Sequence, residues 1–126
     1  MRSPTRSERS GDSGQATVEL ALALPLLMLL LLAGVQLAVV IRDQLAVISA
    51  AREGARAAAV STDQAGDGSA AARQTASLEG MQVSVSSDGM SVTVVVTHRT
   101  HTDIPLVGLL LPDIDEVATA TMRIEP

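Results

Sequence analysis

Gly14-Gln15-Ala16-Thr17-Val18-Glu19 runs directly into LALALPLLMLLLLAGVQLAVVI, residues 20–41, and this junction decides the fold. The second stretch carries no charged side chain and is interrupted only by Pro25, Gly34 and Gln36. Leucine and alanine dominate it, and both favour helix. As a helix, about 22 residues extend roughly 33 Å at 1.5 Å per residue, enough to cross a hydrocarbon core of about 30 Å. The competing reading is a cleaved secretory signal, whose apolar core usually runs only about 7–15 residues. The cleavage candidates near Ala33 and Ala38 have Leu31 and Gln36 two places upstream, where a small residue is needed. An uncleaved membrane helix is therefore the expectation.

Upstream lies a leader, residues 1–14, rich in Ser, Arg and Gly, a composition expected to be disordered. Arg2, Arg6 and Arg9 stand before the apolar run, and Arg42, Arg52 and Arg56 stand after it. The positive-inside rule is nearly balanced, and the short leader ahead of a first helix favours a cytoplasmic N-terminus. The chain has no cysteine, which excludes disulfides and thiolate metal sites. A net charge of −5, with no aromatic residue to stack on bases, argues against nucleic-acid binding.

The helix is expected to start at about Ala16 and to continue past the apolar run to about Val60. Leu45, Ile48, Ala51 and Ala55 fall at helical spacing, with Arg52, Glu53 and Arg56 turned elsewhere. Residues 61–69, STDQAGDGS, read as a loop, and residues 70–79 as a short helix stopped by Gly80. Met81, Val83 and Val85 then alternate with Gln82, Ser84 and Ser86, and Asp88-Gly89 supplies a turn before Met90, Val92, Val94 and Val96, which share one face. A last strand is expected over residues 116–125. The apolar segment 104–112, IPLVGLLLP, is too short to span a bilayer; packing under the sheet or against the long helix is its main reading and a shallow membrane dip the other. The fold class expected is α+β: one long N-terminal helix, membrane-spanning in its first half, packed on a small antiparallel sheet. The domain division expected is 1–14, 15–60 and 61–126.

Two residue types carry the functional argument at the helix start. Gly14 gives backbone freedom and no side chain to obstruct a protease. Glu19 places a carboxylate where the helix enters the apolar phase, a position that costs less than the bilayer centre but still favours a partner. If the Gly14–Gln15 bond is cut, the new amine of Gln15 lies one helical turn from Glu19, or within reach of a neighbouring subunit's Glu19. The plain alternative is a loop glycine and an interfacial glutamate reaching for water, and residue physics alone leaves both open.

A resemblance adds to this. A leader ending in glycine, a glutamate fifth after it and an apolar run resemble the class III signal of type IV prepilins. More narrowly, GQATVELALALPLLMLLLLAGVQ followed by ISAAREGARAAAV, with TATMRIE near the end, resembles the TadE-like family of tight-adherence (Flp) pilus proteins. That resemblance implies a pseudopilin or minor pilin, cleaved by a prepilin peptidase and assembled through its N-terminal helix. It implies that Gly14 and Gln15 flank the scissile bond and that Glu19 is the recognition and assembly carboxylate. Implied partners are the peptidase, other pilins or pseudopilins, the assembly platform and membrane lipid, with no nucleic acid and no small-molecule substrate. The implied location is the cell membrane, single-pass, with the C-terminal domain outside, and the cell surface or pilus after processing. Leu20 departs from the tyrosine that major Flp pilins place after the glutamate, and Gln15 from the usual apolar residue.

Other candidates are weaker. Pro25 removes a helical hydrogen bond and can kink the axis, although membrane helices tolerate proline. Ala51/Ala55 and Gly54/Ala58 set small residues four apart, suiting close helix packing against the chain's own sheet or against another subunit. His98, His101 and Asp103 lack a second ligand cluster and read as solvated polar residues. Asp113, Asp115 and Glu116 read as a charged turn without calcium-loop spacing, as do Asp63, Asp67 and Gly68. No cofactor or metal is expected, and no nucleophile elbow or phosphate loop suggests an enzyme. The class outside pilus assembly is an uncleaved single-pass anchor whose outer domain binds a soluble partner. A secreted small binding domain lacking residues 20–41 is the third.

Overall fold

The computed structural model describes residues 10–101 and 112–125, with side chains described from residue 14 onward. Its order is α1 (Ser10–Ala59), α2 (Gln64–Thr75), β1 (Gln82–Ser87), β2 (Ser91–Thr100) and β3 (Ile114–Arg123). The chain divides into two compact units, Met1–Val35 and Gln36–Pro126. The architecture is α+β, as the hydropathy pattern and the strand alternation predict.

Within the first unit α1 is apolar around its whole circumference from Leu20 onward. Leu22, Leu26 and Leu30 are about seven-tenths exposed, and Leu20, Leu24, Leu27 and Leu31 are exposed as well. The core helix of a water-soluble domain buries such side chains. This helix is long and apolar enough to cross a membrane, which is compatible with a single-pass membrane protein. Helix begins at Ser10, ahead of the expected start at Ala16, and continues through Gly14 without a break.

The second unit is built on the last part of α1. The buried residues of that part, Gln36, Asp43, Val47, Ala50, Ala51, Gly54, Ala55, Ala58 and Ala59, recur mostly at spacings of three and four and so share one face. The face expected from Leu45 and Ile48 is rotated: Leu45 is exposed and Ile48 only half-buried. Alanine and glycine win the contact because they let the backbone approach the sheet, whereas leucine at that position would hold it off. The sheet is three-stranded and antiparallel in the order β1-β2-β3. Along β2 every second residue from Val92 to Thr100 is buried, as a strand of period two requires. Val92, Val94, Val96 and Val47 are fully enclosed, each contributing about 1.5–3 kcal/mol of burial.

Two local features set the loops. Asp88 folds the hairpin: its Oδ1 accepts from the backbone N–H of Met90 at 2.9 Å and of Ser91 at 2.6 Å, while Gly89 takes φ 85°. These bonds hold its carboxyl below the ordinary value of 3.8, the Ser91 backbone bond foremost. Met90, expected on the strand's inner face, sits in this turn and is exposed. The second feature corrects the sequence reading of 61–69. Asp63 caps α2 by accepting from the Gly66 N–H at 3.0 Å, so helix starts at Gln64, within the expected loop, and stops at Thr75. Segment 104–112 lies outside the described residues up to Leu111, and Pro112 is exposed.

Candidate functional site

Gly14, Gln15 and Glu19 stand on consecutive turns of α1, all exposed. The Gln15 side-chain amide Nε2 donates to Glu19 Oε1 at 3.3 Å, an i to i+4 bond on the helix surface. A β-carbon added at Gly14 would meet nothing within 4 Å. The site therefore presents an unobstructed backbone at residue 14 and a carboxylate one turn beyond residue 15. With the intervening amide on Glu19, that carboxylate is already a hydrogen-bond acceptor toward the N-terminal side. Pro25 lies within α1 and is exposed.

Ala51, Gly54, Ala55 and Ala58 are all buried in the second unit. Ala51 and Ala55 share a core with Val94, Val96 and Ala118. At Gly54 an added β-carbon would fall 2.8 Å from the Gly68 carbonyl oxygen and 3.2 Å from Val94 Cγ1. This surface is thus occupied by the chain's own sheet and α2.

A different group of polar residues is brought together in the second unit. β2 and β3 pair so that His98 lies opposite Glu116 and Thr100 opposite Ile114. His98, Thr100 and Glu116 point to the inner face, where Asp43 of α1 meets them; all four are buried. The Thr100 hydroxyl lies 3.0 Å from Glu116 Oε1 and 3.4 Å from Asp43 Oδ2. His98 Nε2 is 3.9 Å from Asp43 Oδ2. Burial pushes the Glu116 carboxyl above its ordinary 4.5; the Thr100 bond opposes this, the Asp43 charge adds to it, and His98 opposes it again.

The reading of His98 as solvated does not survive, since it is only 8% exposed. His101 is exposed and pairs with Asp113 at 3.2 Å, and Asp103 lies outside the described residues. Asp113 and Asp115 both pair with the Arg99 Nε at 3.4 Å, whereas Glu116, one step further along the strand, turns inward. Strand alternation separates these neighbours, and a charged-turn reading misses that.

Residues 14–56 match the family model described as TadE-like protein. Over those residues the long helix is similar to the TadE-like family. The match begins at Gly14, covers about a third of the chain, and ends within α1 among the buried small residues. No curated protein and no solved structure gives a significant match. The sheet, with His98, Thr100 and Glu116, falls outside the matched residues, so the TadE-like likeness speaks for the helix, Asp43 included, and not for the sheet side of the cluster.

Proposed function

We propose that this TadE-like chain is a pseudopilin or minor pilin of a tight-adherence pilus or related secretion system, acting through assembly and not catalysis. Residues 1–14 are the cytoplasmic leader, 15–60 the membrane and stem helix, and 61–126 the domain outside. A prepilin peptidase cleaves between Gly14 and Gln15. The helix then packs among other pilins or pseudopilins and the assembly platform, with Glu19 meeting a freed N-terminal amine. The observation that carries this reading is the family match starting at Gly14, joined to a helix whose apolar side chains are left exposed over its first part. An exposed apolar surface of that length needs lipid or neighbouring helices to cover it.

Intact-chain mass spectrometry of the membrane fraction from the native host tests it. A start at Gln15 supports processing. A start at Met1 or Arg2, in cells whose prepilin peptidase cleaves another substrate, leaves the uncleaved membrane anchor. One observation favours that second reading: α1 runs unbroken from Ser10 through the Gly14–Gln15 bond, so a protease that needs extended backbone must first unwind a turn.

A further inference from the structure

The layer between α1 and the sheet is apolar from Val47 to Ala58 and ends, around Asp43, in side chains that are polar and buried. Buried carboxylates need an opposing charge, hydrogen bonds or a retained proton. Glu116 is 2% exposed, and its Oε2 has no hydrogen-bond partner among the described residues. His98 is 8% exposed, and its Nδ1 is likewise without one among them. Thr100 cannot satisfy both acids, because its hydroxyl has a single proton and Glu116 Oε1 lies nearer than Asp43 Oδ2. No arginine is paired with Asp43 or Glu116 among the described residues; Arg99 is engaged on the outer face by Asp113 and Asp115.

We propose that Asp43, His98 and Glu116 form a binding site for one divalent transition-metal ion of the zinc type. One ligand atom from each of the three lies within 4.8 Å of the others. Around a zinc ion, with bonds of about 2.0–2.2 Å, such atoms sit roughly 3–3.5 Å apart, so small side-chain adjustments close the set. Two carboxylates and a neutral imidazole bring two negative charges to a doubly charged ion. One nitrogen with two oxygens suits zinc, whereas calcium and magnesium favour oxygen shells. Thr100 acts as the outer support, its hydroxyl fixing Glu116 by Oε1 and leaving Oε2 for the metal. An open groove of about 410 Å³ reaches two of the three ligands: Asp43 and His98 line it together with Val39, Glu79, Gly80 and Thr100, and Glu116 is not in its lining. The ion ties α1 to β2 and β3, a clamp at the end of the layer where apolar contacts stop.

The test uses the full chain in detergent micelles, without a histidine tag, stripped with EDTA and titrated with zinc chloride in a calorimeter. One zinc per chain is expected, undisturbed by millimolar magnesium, with a higher melting temperature when zinc is present. Glu116→Gln and Asp43→Asn each weaken binding at least tenfold, and His101→Ala leaves it unchanged. Glu116→Gln keeps the side chain's shape and its bond from Thr100, and circular dichroism of the metal-free variant verifies folding. If the folded wild-type chain takes up no zinc, the proposal fails. It fails equally if magnesium displaces the ion, or if binding survives both substitutions and is lost in His101→Ala, which assigns it to the exposed His101 and Asp113. A proton shared between the acids would account for the cluster in those cases.

Discussion

Gly54 of α1 and Gly68 of α2 stand so close that a methyl group on Gly54 would lie 2.8 Å from the Gly68 carbonyl oxygen. The reverse holds too: a methyl on Gly68 would lie 2.9 Å from Ala58 Cβ and 3.1 Å from the Gly54 carbonyl oxygen. Both contacts are with groups that cannot swing away. Alanine normally favours a helix over glycine by about 1 kcal/mol, yet overpacking a tight contact costs about 1–3 kcal/mol. Here the clash involves backbone, so it wins. Gly54→Ala and Gly68→Ala are each expected to lower the stability of the second unit by about 1–2 kcal/mol. Gly34→Ala, where an added β-carbon meets nothing within 4 Å, leaves it unchanged. Denaturant melts of the three variants decide this, and equal midpoints for all would sink it.

Glu116 gives a pH dependence of definite sign in metal-free protein. Its carboxyl is raised above 4.5, first by burial, so in the folded chain it holds its proton to higher pH than in the unfolded chain. Above pH 4.5 the folded state therefore binds more protons, and stability falls as pH rises, until the folded-state value is passed. Asp88 works in the opposite sense and lower down: its carboxyl is depressed below 3.8, so its contribution is lost only as pH falls beneath that value. In EDTA, melting temperature is expected to decline from pH 4.5 upward in the wild type and to flatten in Glu116→Gln. Parallel profiles for the two proteins would remove Glu116 as the cause.

What the sequence made legible was local. The membrane-length run, the stem rich in alanine and the valine alternation each depend on near neighbours, and Asp88-Gly89 places its turn by the same logic. Gly14, Gln15 and Glu19 were legible as a pattern for that reason. The start of α2 was not, because Asp63, Gly66 and Gly68 have the composition of a breaker. In the fold one caps the helix and another allows it to approach α1. Nor could the polar cluster be read: it joins α1, β2 and β3 through the pairing of His98 with Glu116, a register set across a connection in which no local signal fixes length. Asp43, beside Arg42, looked like the end of the apolar run and is instead a buried member of that cluster.

The cap of α2 is open to direct measurement. Asp63 satisfies the Gly66 N–H at 3.0 Å, and the Asp67 N–H reaches the Asp63 carbonyl at 3.0 Å. Removing the side chain leaves one helix-end donor to water. Asp63→Ala is expected to cost about 1 kcal/mol, and Asp63→Asn or Asp63→Ser much less, since either keeps an acceptor oxygen. Amide hydrogen exchange at Gly66 and Asp67 should quicken in Asp63→Ala alone; unchanged protection there would mean that the side-chain bond holds nothing.

Under the proposed function, two substitutions at the helix start separate processing from assembly. Gly14 faces open space, so replacing it with valine obstructs a protease without disturbing the fold, and Glu19 is exposed, so its loss does not unfold the second unit. Gly14→Val is expected to abolish the Gln15 terminus and to leave membrane insertion intact. Glu19→Ala is expected to insert and to keep a melt of the second unit like the wild type, yet to drop out of assembled pilus or platform fractions by at least tenfold. The carboxylate's work lies between subunits in this reading, which is why only the assembled fraction responds. If Glu19→Gln, still able to accept the Gln15 amide bond, assembles as well as wild type, then charge is not what the helix start supplies, and pairing with a freed amine is wrong. Wild-type levels in both Glu19 variants would confine the residue to the membrane interface.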